Sequence, residues 1–279
     1  MLSDTLADML KKRNVHYGWV VAIVTFLTML STAGVMGSAG IMIEPLHKEF
    51  GWSTADISFA MAVRLVLFGL FGPFAAAFMN RYGVRNVVLA ALCLILSGIV
   101  GALFMTSLAQ LILYWGIIIG IGTGMTALVL GATVATRWFS KSRGLVVGMM
   151  TASNATGQLI FLPLLAQLSE IYGWRSALAF ALCFMVLAML LVLAFMRDTP
   201  ASVGLPPYGE TEIVPEVAKT QSLGALLLSP LIVLREAASS GTFWILFFTF
   251  FVCGLSTNGL IQTHWISICG DFGLMPVGA

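Results

Sequence analysis

Hydrophobic residues in this chain run in long blocks, roughly 17–43, 55–79, 86–106, 110–136, 144–166, 175–196 and 242–263. A hydrocarbon core about 30 Å thick is crossed by ~20 apolar residues rising 1.5 Å each. Every block therefore predicts a membrane-spanning helix. Lys11-Lys12-Arg13 ahead of the first block, and Ser31-Thr32-Ala33-Gly34 within it, mimic a cleavable leader. Hydrophobicity nevertheless continues to Leu46 and six more blocks follow, so an uncleaved first span is expected. Short polar turns separate the blocks, except for the long segment after the sixth.

Composition fits this pattern and excludes a soluble globule. Hydrophobic residues are 59%, charged residues 9% and mean hydropathy +0.99, against about 25% charge in soluble domains. A net charge of +2 gives no basis for nucleic-acid binding. Cys93, Cys183, Cys253 and Cys269 are scattered, without CxxC or metal-ligand spacing, and read as small packing residues.

Positive charge orients the bundle. With the N-terminus inside, the inner segments hold Lys11, Lys12, Arg13, Arg81, Arg85, Arg137, Lys141, Arg143, Arg197, Lys219 and Arg235, while the outer ones hold Lys48 and Arg175. The expected organisation is an inner tail (1–16), a six-span bundle (17–196), an inner linker (197–241), a seventh span (242–263) and an outer loop (264–279). The linker contains Pro206-Pro207-Tyr208-Gly209, the acids Glu210, Glu212 and Glu216, and an apolar piece from Leu223 to Leu234 expected to lie on the inner membrane surface.

An internal repeat underlies the bundle. Shifting by 90 residues places Phe71, Pro73, Ala76, Tyr82, Gly83, Arg85, Ala91, Leu92 and Cys93 on Phe161, Pro163, Ala166, Tyr172, Gly173, Arg175, Ala181, Leu182 and Cys183. Three crossings per unit make the second copy inverted, an architecture of secondary transporters. The fold class is thus all-α membrane protein, a six-helix half-bundle of two inverted three-helix repeats plus a seventh helix.

An ordered set of short motifs supports a family. His16-Tyr17-Gly18-Trp19-Val20-Val21 opens span 1, and Glu49-Phe50-Gly51-Trp52-Ser53 precedes span 2. Arg137-Trp138-Phe139 precedes Arg143-Gly144 and Gly148; Tyr172-Gly173-Trp174-Arg175 precedes span 6; Gly204-Leu205-Pro206-Pro207-Tyr208-Gly209 lies in the linker. From about residue 14 onward the chain resembles a bacterial major facilitator superfamily protein, in the branch similar to monocarboxylate transporters and oxalate–formate antiporters. The resemblance implies twelve spans, so the chain reads as stopping in the loop before an eighth and is not expected to transport alone. It also implies a conformational-gating loop between spans 2 and 3, here Asn80, Arg81, Gly83 and Arg85; Asn80 replaces the family's acid and brings hydrogen bonding without charge.

Arg64 is the leading candidate for substrate chemistry. Counted from Thr54 it lies about 15 Å into the membrane, where a guanidinium must face the bundle interior or a wet cavity. There it can bind a carboxylate bidentately; the structural alternative pairs it with a helix carbonyl or with Asp56 or Glu44. The repeat shift makes Asn154 its equivalent, a second substrate candidate. Asn258 and Gln262, four apart near the outer end of span 7, are further substrate candidates, with an interfacial helix end as their competing reading. Gly116, Gly120 and Gly124, and likewise Gly144 and Gly148, form stripes expected to pack helices closely.

No catalytic constellation, metal set or cofactor motif is present, and every carboxylate falls in a loop or near a span end. The expectation is a secondary carrier of small organic anions such as monocarboxylates, by ion symport or exchange, in the plasma (inner) membrane. Its partners are the anion, the lipid bilayer and a proton or exchanged anion, with no cofactor. A drug-type efflux carrier and a truncated non-transporting membrane protein are the alternatives.

Overall fold

The computed structural model describes residues 9, 11–12, 15–213 and 223–272. Among them, seven helices are long and apolar enough to cross a membrane. Helix α1 is Gly18–Phe50, α2 Thr54–Tyr82, α3 Val84–Leu103, α4 Leu108–Trp138, α5 Arg143–Tyr172 and α6 Trp174–Phe195. The linker carries α7, Leu223–Ala237. The seventh crossing, Gly241–Trp265, comprises α8 (Gly241–Cys253), a π-helical stretch (Gly254–Ile261) and the start of α9 (Gln262–Asp271). The end carrying the α2–α3 and α4–α5 turns is called the inner end, after the orientation expected from the charge pattern.

Threonine and serine are tolerated inside these helices because each hydroxyl finds an acceptor on its own backbone, as an apolar surround demands. Thr25, Thr28 and Thr32 donate to the carbonyls four residues earlier at 2.8–2.9 Å, and Ser38 to Val35 at 2.8 Å.

The repeat is written into the packing. The most extensive interface is α1 on α5, and the repeat operation turns it into α4 on α2, also extensive. Individual contacts obey the same exchange. A Cβ on Gly34 of α1 would lie 3.1 Å from Phe161 Cβ of α5; 90 residues on, a Cβ on Gly124 of α4 would lie 3.1 Å from Phe71 Cβ of α2. Gly157 meets the Leu30 carbonyl, whereas the equivalent pair puts glycine on the other helix, Gly120 against Leu67. The α2–α3 and α5–α6 turns match too, with Gly83 at φ 86° and ψ 153° and Gly173 at φ 85° and ψ 159°, backbone that L side chains rarely adopt.

Both helix ends of the pseudo-two-fold are fastened by one device. Arg85 Nη2 donates to the Leu193 carbonyl at 2.7 Å, and its repeat mate Arg175 donates through Nε to Leu103, the mate of Leu193, at 3.2 Å. At the outer end Glu49 accepts from Trp174 Nε1 and from Arg175 Nη1, each at 2.6 Å, tying α1 to α6. At the inner end Asp198 accepts from the Arg85 backbone N–H at 2.9 Å, a carboxylate on the first turn of α3.

The linker begins as a strap across the inner end. Tyr208 N–H donates to the Trp138 carbonyl, and the Tyr208 carbonyl accepts from Ser140 and Lys141. The ring of Tyr208 packs against His16, Trp19 and Phe139. His16 Nδ1 accepts from Gly18 N–H, which leaves the proton on Nε2, 2.9 Å from the Pro206 carbonyl. The proline-rich turn thus binds the loop between α4 and α5 to the start of α1. Helix α7 lies against α2. Helix α9 packs on α1 and buries Thr263 and Cys269, while α8 buries nothing among the described residues.

The two glycine stripes differ among the described residues. Gly116, Gly120 and Gly124 lie close to the α2 backbone and side chains, but a Cβ at Gly144 or Gly148 would meet nothing within 4 Å. That stripe faces away from the half-bundle because α5 turns its other side, through Gly157, toward α1.

Candidate substrate site

Helix α2 brings Arg64 inward because α4 offers glycine opposite it: a Cβ on Gly120 would sit 3.1 Å from Arg64 Cα. Arg64 is 3% exposed. Its Nη1 donates to the Met36 carbonyl of α1 at 3.0 Å, while Nε is buried without a partner. Neither acid considered for it is engaged with it. Glu44 pairs with Lys48 at 3.0 Å, and Asp56 is bonded to Ser53 at the start of α2.

Between α1, α2, α4 and α5 the interior holds a crevice lined by Thr32, Met36, Phe68, Thr123, Thr126 and Asn154 among others; Arg64, which donates to the Met36 carbonyl, is not in its lining. Its volume of ≈ 10 Å³ is room for about one water. The crevice straddles the repeat axis, because Met36 and Thr126 are repeat mates, as are Ala33 and Thr123, and all four line it. Asn154, the repeat mate of Arg64, lines the crevice together with Thr126. Its Oδ1 accepts from Gln158 Nε2 at 3.3 Å.

Helix α4 is irregular around this point. It is π-helical from Ile112 to Ile118 and breaks at Thr126 (φ −102°, ψ 9°) and Ala127 (φ −67°, ψ −166°), restarting at Leu128. The hydroxyls of Thr123 and Thr126 back-bond to Ile119 and Gly122. Sequence reading missed this break; Thr123-Gly124-Met125-Thr126, with two hydroxyls and a glycine at mid-span, is the signal that marks it.

The other candidates divide. Asn258 lies in the π-helical stretch, its carbonyl accepting from Thr263 Oγ1 at 2.7 Å, and it is not among the crevice residues. The Gln262 side chain lies outside the described residues. In the loop between α2 and α3, Asn80 Oδ1 accepts from Arg137 Nη2 at 2.8 Å, and the same nitrogen donates to the Met79 carbonyl at 3.0 Å. Arg81 stacks on Tyr82 at 5.4 Å. Gly83 leaves space that a Cβ would take from Asp198, and Arg85 makes the two bonds already given. Asp198 and Arg137, the partners of this loop, were not singled out by sequence.

The family model described as Major Facilitator Superfamily matches residues 21–276. The chain belongs to the Major Facilitator Superfamily. Major facilitator proteins are transporters rather than enzymes, and this one is a multi-pass membrane protein. Monocarboxylate transporter 11 of Mus musculus is 33% identical over 164 residues, 58% of this chain and 36% of that protein. An uncharacterised MFS-type transporter of Bacillus subtilis, YcxA, is 23% identical over 254 residues, 91% of this chain and 58% of its own length. The chain spans about a third of the monocarboxylate transporters it matches. A D-xylose-proton symporter superposes with a TM-score of 0.64 at 16% identity, covering 94% of this chain and 64% of that one. The xylose transporter XylE from E. coli, in a partially occluded inward-open conformation, superposes at 0.58 and 20% identity over 67% of this chain and 52% of its own. Both likenesses establish the fold of this major facilitator chain.

Proposed function

We propose that this major facilitator chain forms the substrate-facing half of a secondary carrier for small organic anions of the monocarboxylate kind, driven by symport with a proton or by anion exchange. It sits in the plasma (inner) membrane with its N-terminus in the cytoplasm. The observation that carries this reading is Arg64: a mid-span guanidinium, nearly fully buried, that pairs with no acid among the described residues and whose Nε–H is unsatisfied. An intramembrane arginine is costly, at about 2.5–3.5 kcal/mol on insertion scales. One carbonyl bond to Met36 offsets only part of that cost, and a substrate carboxylate supplies the missing countercharge. Asn154 gives a neutral second contact across the repeat axis. The relatives named as monocarboxylate transporters support the same substrate class.

Arg64→Lys and Arg64→Ala separate binding from structure. A lysine keeps charge but cannot make the planar two-toothed pair. Both variants are expected to insert and fold with normal yield while losing lactate affinity relative to wild type. Reduced folded yield with unchanged affinity refutes a binding role and leaves Arg64 as a strut to Met36.

A further inference from the structure

We infer that His16 is a proton-operated clasp at the inner end: its neutral ring fastens the linker strap to the start of α1, and a second proton on the ring opens it. The inference stands on the strap alone and does not depend on the anion reading above.

Both ring nitrogens are in use, and each has a fixed role. Nδ1 accepts from the Gly18 N–H at 3.1 Å, which only an unprotonated nitrogen can do. Nε2 therefore carries the ring's one proton and donates it to the Pro206 carbonyl at 2.9 Å. The bond to Gly18 also occupies one of the free donors in the first turn of α1, where the positive end of the helix dipole lies. The fit is close. A Cβ on Gly18 would fall 2.9 Å from His16 Nδ1 and 3.3 Å from Phe139 Cζ, and the Tyr208 ring stands edge-on at 5.5 Å.

A proton on Nδ1 turns this acceptor into a donor. Two N–H groups then face each other across 3.1 Å, and an imidazolium sits at the positive end of the α1 dipole, so contact and field both expel it. The ring is half-buried, so it swings to water rather than into the bundle. Nε2 leaves the Pro206 carbonyl with it. The strap stays on the loop between α4 and α5 through the Tyr208 backbone bonds to Trp138, Ser140 and Lys141. What opens is the joint between that loop, which belongs to the second repeat, and the start of the first. Among the described residues no acid pairs with His16 to hold an imidazolium in place. The other titratable groups around this joint are the Tyr17 and Tyr208 phenols, Lys141 against Gly209, Arg143 on the Phe139 carbonyl and Glu210 on Ser140, with Lys11 and Lys12 in the preceding tail.

Amide hydrogen exchange of the strap reads the clasp. Peptides over 204–210 are compared between wild type and His16→Ala in nanodiscs, at about pH 8 and about pH 5.5, an interval across which histidine as a residue type changes charge. At each pH the two proteins share one chemical exchange rate and every other titratable group, so their ratio isolates the ring. Wild type is expected to exchange about fivefold more slowly than His16→Ala at the higher pH, the worth of one hydrogen bond, and equally fast at the lower. Should His16→Ala fail to fold, 15N-histidine NMR keeps the test, on a chain carrying His47→Gln and His264→Gln. It is expected to show the Nε2–H tautomer at the higher pH and both nitrogens protonated at the lower, and a His16 ring that stays neutral throughout overturns the inference. In the exchange experiment, the same protection at both pH values shows a fastening that protons do not operate, and no protection at either shows no fastening. Each of these results overturns the inference as well.

Discussion

Adding one methyl group at Gly157 probes the interface on which the half-bundle depends. A Cβ there falls 2.5 Å from the Leu30 carbonyl oxygen, 2.9 Å from Ala33 Cβ and 3.2 Å from the Leu30 carbonyl carbon. None of these atoms can swing aside by a rotamer change, so α1 and α5 must separate along their length. Overpacking costs about 1–3 kcal/mol, and rigid neighbours place this case toward the upper end. Alanine recovers about 1 kcal/mol of helix propensity over glycine, leaving Gly157→Ala less stable by roughly 1–2 kcal/mol. Gly148→Ala is the matched control on the same helix, where a Cβ meets nothing within 4 Å. It keeps the propensity gain without the clash and is expected to be stabilising by up to about 1 kcal/mol. Unfolding of the chain in dodecyl maltoside, followed by circular dichroism, measures both. Opposite signs are expected; Gly157→Ala as stable as wild type, or both variants shifting alike, refutes the packing argument.

Two further outcomes are expected. Glu49→Ala removes two 2.6 Å bonds that join α1 to α6, yet both charges are about two-fifths exposed, so the loss is about 1 kcal/mol after screening; Lys48→Ala, which breaks an exposed pair within α1, should leave the unfolding midpoint unmoved. Single cysteines at Ser53 and at Ser202, in a chain lacking Cys93, Cys183, Cys253 and Cys269, should label from opposite sides of the membrane, and labelling of both by an impermeant reagent from outside overturns the assigned topology.

The sequence by itself determined the properties that local composition controls. Runs such as 175–196 must lie in lipid whatever their neighbours, because backbone and side chains there leave no other solvent. The Tyr-Gly-x-Arg turns at Tyr82 and Tyr172 were legible as a repeat, since a backbone with positive φ needs glycine in both copies. Arg64 was legible for the same reason, as a charge where charge is costly. Tertiary structure decided what these groups meet. That Arg64 finds the Met36 carbonyl rather than Glu44 or Asp56 depends on the rotation of α2 against α1, which long-range packing sets. The stripe at Gly116 and Gly120 closes on α2 while the equally spaced stripe at Gly144 and Gly148 stays open, because identical spacing does not say which face a neighbour takes. Asp198 reaches Gly83 and Arg85 across more than a hundred residues, and Tyr208 reaches Trp138 and His16 only once the strap has folded back. The break at Thr126–Ala127 likewise emerges from packing, where the helix yields its own hydrogen bonds at the axis shared by the two repeats.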